Sequence, residues 1–435
     1  MNVLFVSGMD GDTRRYRCIH HQEQLALAGV ESSLLVGDDL EIYAAAATCD
    51  VAILHRVPWS DLIADLATLM HQRNKPVLFE TDDLVFEPGL HDRIGLLDML
   101  GPAEAQRLRA SLAGQAETFR RADFALVTTE YLAQAAEEAG VPARVHRNAC
   151  SAEMLAIAEQ AYATQLERRT DQGTVIAAYF SGTGSHNRDF ASITPALLEA
   201  MAAYPQLRLH LSGHLQIDPT FDAFADRIRR APYVSWRELP YLIAQVDINL
   251  APLELDNPFC QAKSEIKYTE AALVGVPTVA SATDAFRYAI TPGETGLLAE
   301  SPEDWIASLA RLIDNPDARH AIGDRARAQT LRSYSPQERS AQLIALLEDV
   351  LDGFSSPGAA PQSVPETMAR CLLRRLHALE EKRAQQDQQL VQLRQTLAGW
   401  EQSDQTLFWR REQQLAEQIL ADDLRHILAR LQARR

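Results

Sequence analysis

The sequence has few of the features that mark secreted, membrane-spanning or zinc-binding proteins. Its five cysteines are scattered over 435 residues without a Cys-x-x-Cys pair, so we expect reduced thiols and no structural zinc. No run of about 18 or more apolar residues predicts a transmembrane helix. The opening MNVLFVS is typical of a short strand and lacks the basic flank and cleavage site of a signal peptide. We therefore expect a cytoplasmic protein.

Positive charge is also scarce. The chain has 42 basic against 59 acidic residues and a formal net charge of −17. A nucleic-acid surface needs basic stripes that follow the phosphate backbone, so we expect no nucleic-acid partner. Basic residues with a binding role should instead be concentrated locally. The length and the 46% hydrophobic content are enough for two or three domains with sizeable cores.

Lysine is the rarest basic residue. Only four of the 42 basic residues are lysines, and two of them, Lys263 and Lys267, lie in the stretch QAKSEIKYTE at 261–270. Their spacing predicts that both ammonium groups share one helix face. In a chain that otherwise uses arginine, this indicates a position where a planar guanidinium does not serve. The alternative is a solvated helix face that carries a Lys-Glu-Lys cluster.

Short apolar runs alternate with helix-length segments, a pattern typical of parallel α/β sheets. The candidate strands are 3–6, 33–36, 51–54, 77–79 and 124–127 in the first part, then 175–180, 207–211, 248–251, 278–280 and 296–298. We predict two facing Rossmann-like domains at 1–165 and 172–335, joined by a crossover near 153–171. Ligands of such sheets bind at the carboxyl ends of the strands, so we expect the ligand in the cleft between the domains.

The last hundred residues differ in character. A closing helix is predicted at 336–352, followed by a Pro-, Gly- and Ser-rich flexible linker at 353–365. In the helical tail, 366–435, a modest coiled coil is predicted by the four-three spacing of Leu372, Leu376, Leu379, Leu390, Leu393 and Leu397. An amphipathic pattern continues from Leu407. The tail therefore either binds a second copy, a partner protein or a membrane surface peripherally, or packs on its own chain.

The stretch around the lysines carries a family resemblance. From Leu250-Ala-Pro through Glu270-Ala-Ala to Gly275-Val-Pro277 and Ala280-Ser281, it resembles the donor-nucleotide site of retaining GT-B glycosyltransferases, especially family 4. Pro292-Gly-Glu-Thr-Gly-Leu-Leu298 is similar to the next turn of that family, and 301–334 to its two following helices. The resemblance implies a GT-B fold with a helical extension. It also implies sugar transfer from a nucleotide-diphosphate sugar, with no other cofactor and no metal.

The resemblance assigns roles to residues of this stretch. Glu270 takes the place of the glutamate that binds the donor ribose, and Lys263 and Lys267 that of the basic residues that neutralise the diphosphate. The usual second glutamate, eight residues earlier and near the donor sugar, is Ala262 here. The paired lysines resemble those of one branch of the family, which is found in bacterial polysaccharide and protein glycosylation loci. The implied acceptor is therefore a glycan, a lipid-linked glycan or a protein.

Two further segments of the second domain are similar to the donor-binding elements of the family. Gly-containing loops at helix N-termini bind anionic oxygens, and such a loop follows strand 175–180. Its candidate donor-binding residues are Ser181, Gly182, Thr183, His186 and Arg188. A helix is expected from Phe190, and Asp189 could simply cap that helix. Gly213 lies at the turn that resembles the base-binding turn, and 234–239 resembles a base-contacting strand. For Trp236 we expect core packing rather than base stacking.

The first domain offers candidates at the ends of its strands. Arg14, Arg15 and Arg17 lie in a loop before a helix expected near Cys18, and His55-Arg56 and Asp82-Asp83 follow two later strands. Arg14, Arg17, His55, Arg56, Asp82 and Asp83 are therefore candidates for the acceptor side of the cleft. The alternatives are solvated arginines, a structural histidine and helix-capping acids. Paired acids also bind divalent ions, but two adjacent ones fall short of a usual ligand set.

Two functions other than sugar transfer fit the same architecture. Ala262 and the tail are consistent with a non-catalytic scaffold that recruits partners. A sugar-nucleotide epimerase would need acid/base carboxylates near the sugar. The fold alone does not separate these functions, because function depends on the site.

Overall fold

The computed structural model describes residues 1–37, 39, 41–87, 89–90, 100–169, 173–182 and 187–356, and in the tail 369, 373, 376–377, 380–381 and 383–392. The chain divides into two compact units, Met1–Val364 and Pro365–Arg435. The described tail residues are helical and, apart from Leu390, exposed. Among the predicted coiled-coil leucines, Leu372, Leu379, Leu393 and Leu397 lie outside the described residues, as does everything from Leu407. The coiled coil therefore stays a prediction.

The first sheet has six parallel strands in the order β2-β1-β3-β4-β5-β6. They are β1 Asn2–Ser7, β2 Glu31–Val36, β3 Val51–His55, β4 Val77–Thr81, β5 Phe124–Val127 and β6 Ala143–Val145. The apolar runs predicted the first five of these. The sixth has only three residues, ARV, which is too short to show an apolar run or an alternation.

The second sheet is also six-stranded and parallel, in the order β12-β11-β10-β7-β8-β9. Its strands are β7 Val175–Ser181, β8 Leu207–Gly213, β9 Ile228–Ala231, β10 Ile248–Ala251, β11 Thr278–Ser281 and β12 Leu297–Ala299. Strand β9 escaped prediction because two arginines occupy its centre. The strand predicted at 234–239 is wrong. Pro240 lies in the first turn of a helix, Leu239–Ile243, where its fixed φ is favourable and its missing N–H is not needed.

Helices connect the strands in both domains. The first domain has Asp12–Arg14, a π-helical turn Arg15–Ile19, His20–Leu27, Glu41–Ala46, Asp61–Gln72, Pro102–Arg121 and Glu130–Glu138. The crossover helix, Ala152–Arg168, leads to the second domain. There follow Asn187–Ala191, Thr194–Ala203, the 3₁₀ segment Pro219–Arg227, Leu239–Ile243, Pro258–Gln261, the lysine helix Ile266–Leu273, Asp284–Ala289, Pro302–Asp314 and Pro316–Ser333. The closing helix is Pro336–Gly353. No described helix is long and apolar enough to cross a membrane.

Two long helices tie the domains together. The crossover helix packs on the second domain, where Met154 and Ala158 join a core cluster with Ile243 and Val274. The closing helix returns to the first domain. Its fully buried Leu343, Leu347 and Val350 pack with Val3, Phe5 and Ile53 of the first sheet. The chain thus passes between the domains twice, which fixes their orientation by apolar burial on both sides.

A buried ion pair holds the first helix against the first sheet. Arg17 is fully buried, and its Nε donates a 2.5 Å hydrogen bond to Glu80 Oε1 while Nη1 donates to Asn148 Oδ1 at 3.0 Å. Burial raises the pKa of Glu80 to about 7, although the Arg17 charge opposes that shift. The expectation that Arg17 contacts a ligand in the cleft is therefore wrong. The helix starts at Asp12 rather than near Cys18 and turns Arg17 towards the sheet.

The pair leads to a pH-dependent prediction. We expect Arg17→Met to lower the free energy of unfolding by about 3–5 kcal/mol at about pH 8, because it leaves the Glu80 carboxylate buried without a countercharge. An unfolded glutamate titrates near about pH 4.3, whereas the pKa of buried Glu80 is higher still in the variant. The unfolded value is the same for both proteins and cancels, so the loss should grow as the pH rises above the wild-type folded pKa of about 7 and be smaller at about pH 5. Urea denaturation at both pH values measures it.

The matched control is the double variant Arg17→Met/Glu80→Gln, which removes the stranded charge and keeps the shape of the carboxylate side chain. It should regain most of the stability lost at the higher pH. An equal loss at both pH values, or no recovery in the double variant, would show that packing rather than charge dominates.

Candidate functional site

A cleft of about 290 Å³ opens where the carboxyl ends of the two sheets meet. The first domain contributes Asp12, Thr13, Tyr16, Asp82 and Asp83 to its lining. The second contributes Phe180, Ser181, Gly182, Ser212, Tyr233, Val234, Trp236, Leu239, Ile243, Asn249, Leu253, Lys263, Ser264, Ile266, Lys267, Glu270 and Phe286. In each sheet the order of the strands reverses beside the first strand, at β1/β3 and at β7/β10. Ligands of open α/β sheets bind at such switch points.

The two lysines reach this cleft from different local structures. Lys267 lies in the first turn of the lysine helix, but Lys263 lies in the loop before it. The prediction that they share a helix face is therefore wrong, because residues 263–265 do not adopt helical structure. Both side chains nevertheless line the cleft. They meet beside a helix N-terminus, where the unpaired backbone N–H groups and the macrodipole add positive potential.

A buried carboxylate fixes the loop that carries Lys263. Glu265 is 2% exposed, accepts a 2.7 Å hydrogen bond from Tyr334 Oη, and pairs with Arg147 Nη1 at 3.1 Å. Beside it, Asn148 Nδ2 donates to Ser264 Oγ at 3.0 Å. Sequence reasoning missed this anchor, since a glutamate between two lysines is typical of a surface cluster. The loop is instead bonded to residues 147–148, directly before the crossover helix.

Lys267 is held in a poorly solvated position. Its Nζ donates a 2.5 Å hydrogen bond to the carbonyl oxygen of Phe180 and lies 4.9 Å from the centre of the Tyr179 ring. Burial lowers the pKa of Lys267 to about 8, although the Glu270 and Asp189 carboxylates oppose this. Asn249 Nδ2 donates to the Lys267 carbonyl at 3.0 Å. Asn249 is a polar residue inside an otherwise apolar strand, and this break in the pattern is the signal in the sequence that could have indicated its contact with Lys267.

Lys263 connects the two domains across the cleft. Its Nζ lies 4.6 Å from the centre of the Phe259 ring and 3.8 Å from Asp83 Oδ1 of the first domain. Asp83 and Asp82 also lie 3.2 and 3.4 Å from Arg56 Nη1. Both acids therefore have cationic partners, and both line the first-domain wall of the cleft. Arg56 itself has a positive φ of 49° and stands behind them.

Glu270 lies on the lysine helix, half-buried in the cleft wall. Its Oε1 accepts a 2.9 Å hydrogen bond from Tyr16 Oη of the first domain. Burial raises the pKa of Glu270, against the hydrogen bond from Tyr16 and the charges of Arg15 and Lys267. The Arg15 guanidinium is 4.3 Å from the ring centre of Tyr16 and 4.5 Å from that of Trp236. Trp236 is half-buried: it packs against the core cluster that contains Met154 and Ala158, as expected, and it also lines the cleft.

The turn after β7 comes close to the turn after β8. Ser181 Oγ donates to the His214 carbonyl at 2.9 Å. Gly213 has a φ of 91°, and a Cβ there would lie 1.9 Å from the Ser181 carbonyl oxygen, so only glycine fits. Gly213 therefore supports the turn and does not itself line the cleft. Thr183 and His186 lie outside the described residues.

The other predicted residues lie away from the cleft lining. His55 is fully buried behind Thr13, with Ser7 Oγ 2.9 Å from Nδ1 and Thr13 Oγ1 3.1 Å from Nε2. Burial lowers the pKa of His55 well below its usual range. Arg14 pairs with Asp10 at 2.6 Å.

Arg188 also lies outside the lining, where it pairs with Glu254 at 3.0 Å. The helix there begins at Asn187 rather than Phe190, so Asp189 lies inside it and does not cap it. Asp189 instead accepts a 3.2 Å hydrogen bond from the Cys260 thiol.

Comparisons with known proteins agree with this architecture. Residues 191–345 match the family model described as Glycosyl transferase-like. A stretch of 84 residues is 34% identical to D-inositol 3-phosphate glycosyltransferase of Corynebacterium glutamicum (strain R), over 19% of this chain and 20% of that protein. The chain therefore aligns with about a fifth of the length of this relative.

Solved structures match a much larger part of the chain. Anabaena Alr3699/HepE in complex with UDP and glucose superposes with a TM-score of 0.53 at 14% identity, covering 80% of this chain and 100% of that one. Sucrose-phosphate synthase from Thermosynechococcus elongatus gives 0.53 at 16% identity, covering 81% and 99%. At these identities the likeness concerns the fold. The chain thus has the GT-B fold that the sequence predicted.

Proposed function

We propose that the chain is a glycosyltransferase that moves a sugar from a nucleotide-diphosphate sugar to an acceptor hydroxyl. The observation that carries this proposal is the convergence of Lys263, Lys267, Glu270 and Gly182 in one interdomain cleft. Together they offer two cations, a carboxylate and an accessible backbone. This is the chemistry that a diphosphate and a ribose need.

The diphosphate binds to the lysine side of the cleft. Lys267 and Lys263 supply compact charges next to the N-terminus of the lysine helix. Among the described residues, no atom lies within 4 Å of the position a Cβ would take on Gly182, so a phosphate can approach its backbone from that side. As the bond to the sugar breaks, negative charge builds on the departing diphosphate, and fixed cations stabilise it without solvent reorganisation.

The ribose binds to Glu270. A carboxylate accepts hydrogen bonds from two neighbouring hydroxyl groups, and Glu270 lines the cleft on the same helix as Lys267. Lys267 and Glu270 are three positions apart in sequence, which places them on adjacent parts of one helix face. The nucleoside and the diphosphate are therefore held by one rigid element.

The acceptor approaches from the first domain. Asp82, Asp83 and Thr13 line that wall and can receive a hydroxyl group. Closure of the two domains around the donor would exclude water and suppress hydrolysis. The resemblance to family 4 supports retention of the anomeric configuration. It also supports a glycan, lipid-linked glycan or protein acceptor in bacterial surface glycan synthesis or protein glycosylation.

One observation favours a non-catalytic scaffold as the second candidate. Ala262 is fully buried, and its carbonyl accepts a 3.3 Å hydrogen bond from Thr129 Oγ1. The position that resembles the family's second glutamate therefore packs in the core and presents no carboxylate to the cleft. A scaffold of this kind would recruit partners and would not turn over a sugar nucleotide.

Calorimetry with a panel of nucleoside diphosphates tests the site. We expect one of the uridine, guanosine, adenosine, cytidine and thymidine diphosphates to bind. We expect Lys267→Ala and Glu270→Ala each to weaken it by about 10- to 100-fold, because each removes a hydrogen bond to a charged group. Alr3699/HepE was solved with UDP-glucose, which makes uridine diphosphate the first probe.

Lys75→Ala is the matched control, since Lys75 pairs with Asp50 at 2.8 Å outside the cleft. It should bind as the wild type does. A wild-type chain that binds none of the five diphosphates would favour the scaffold. Binding that survives in both cleft variants would place the nucleotide elsewhere.

Turnover tests the role of the lysines in the chemical step. With the donor sugar nucleotide identified by the panel, we expect Lys263→Ala and Lys267→Ala to lower kcat by about 100- to 1000-fold, because the leaving diphosphate loses its countercharge. Thermal unfolding checks that both variants stay folded. Full activity in either variant would remove that lysine from the mechanism.

Lys267 also predicts how diphosphate binding depends on pH. Because burial lowers its pKa to about 8, the ammonium group is charged below that pH and neutral above it. Diphosphate affinity should therefore fall as the pH rises from about 7 to about 9, a range in which an ordinary lysine stays charged. In Lys267→Met this decline should disappear. A decline that persists in the variant would show that another group titrates.

A further inference from the structure

Tyr16 is a first-domain residue that touches the nucleotide side of the cleft. Its phenol donates a 2.9 Å hydrogen bond to Glu270 Oε1, across the boundary between the domains. The residue lies in the π-helical turn Arg15–Ile19. Single π-turns within α-helices often occur at functional sites.

The surroundings of Tyr16 hold its hydroxyl in place. The side chain is 4% exposed and packs in the core cluster that contains Met154 and Ala158 of the crossover helix. Its ring makes an edge contact with His20 at 4.9 Å, and the Arg15 guanidinium lies over it at 4.3 Å. A ring fixed on these sides cannot swing away without disturbing the core.

The contact leaves Glu270 able to bind a ligand. The hydrogen bond from Tyr16 uses Oε1, and each carboxylate oxygen can accept more than one hydrogen bond. Glu270 and Tyr16 both line the cleft. The phenol therefore lies in the cleft beside the carboxylate to which the proposed function assigns the ribose.

We propose that Tyr16 is a positioning residue that orients the ribose-binding carboxylate of Glu270, so that nucleotide affinity depends on contact between the two domains. The proposal rests on the role of Glu270 in the proposed function. Tyr16 acts through Glu270 and does not take part in the chemical step. If the domains separate, the second domain loses the hydroxyl that prepares its own nucleotide site.

Electrostatics supports this role. The titratable and charged groups that face Glu270 are Tyr16, Arg15, Asp12 and Cys150 from the first domain, Lys267 from its own helix, and Tyr233 from the second domain. Burial favours the neutral acid, whereas the phenol hydrogen bond favours the carboxylate. Removal of the phenol should therefore raise the pKa of Glu270, and its ionised form would be lost at a higher pH.

Tyr16→Phe tests the proposal because it removes the hydroxyl and keeps the ring. We expect the nucleoside diphosphate that binds the wild type to bind about 5- to 10-fold more weakly, with KM for the donor raised and kcat little changed. The pH at which affinity falls on the acid side should move upwards. The preference for the ribonucleotide over its 2′-deoxy and 3′-deoxy analogues should shrink, since the carboxylate that reads both hydroxyls is less well oriented.

Tyr204→Phe is the matched control. The Tyr204 hydroxyl donates a 2.8 Å hydrogen bond to Asp314 at an exposed position outside the cleft. The variant Tyr204→Phe removes the same kind of bond as Tyr16→Phe. It should leave the diphosphate affinity, its pH profile and the ribose preference unchanged. Thermal unfolding checks that both variants stay folded.

The outcomes separate this inference from the proposed function. If the wild type binds a diphosphate and Tyr16→Phe keeps its affinity, acid midpoint and ribose preference, Tyr16 has no positioning role and the proposed function stands. Tighter binding in Tyr16→Phe also overturns the inference, because the phenol would then compete with the ribose. If the wild type binds no diphosphate, the proposed function and the role of Tyr16 both fail.

Discussion

The buried carboxylate of Glu265 is the interaction on which the rest of the site depends. It accepts a hydrogen bond from Tyr334 and pairs with Arg147, so it bonds the loop of Lys263 to the residues that lead into the crossover helix. A buried charge is tolerated only when it is paired and hydrogen-bonded, and this one is both. The loop therefore cannot move relative to that junction without exposing an unpaired charge. Lys263 and the first turn of the lysine helix are held in place as well, because they flank Glu265 in the chain.

The cleft carries a local concentration of positive charge, although the chain as a whole is strongly negative. The net charge is −17, yet Lys263, Lys267 and Arg15 surround the cleft. Their carboxylate neighbours, Asp83 and Glu270, come from opposite domains. The two domains thus meet through pairs of opposite charge in a partly dry space, where such attractions are stronger than in water. An anionic ligand would compete with these carboxylates for the same cations.

The sequence predicted the sheets well and the local geometry of the site less well. Ten of the strands had apolar runs, but β6 is too short and β9 too polar to show one. Near the site, the spacing of Lys263 and Lys267 predicted one helix, whereas the bonds of Ser264 and Glu265 to distant residues set the helix start at Ile266. Arg17 and His55 were predicted in the cleft, but tertiary partners bury both. The start of the lysine helix and the burial of Arg17 and His55 depend on contacts between residues far apart in sequence. Local sequence patterns carry no information about such contacts.

The π-helical turn shows why such contacts matter for the site. A π-turn adds a residue to one turn of a helix and so changes the direction of the side chains in it. Arg15, Tyr16 and Arg17 lie in that turn and have different partners: Trp236, Glu270 and Glu80. Arg15 and Tyr16 therefore reach the second domain while their neighbour anchors the first sheet. Three consecutive residues thus connect the fold of the first domain to the carboxylate of the second, and domain arrangement and site chemistry are determined together.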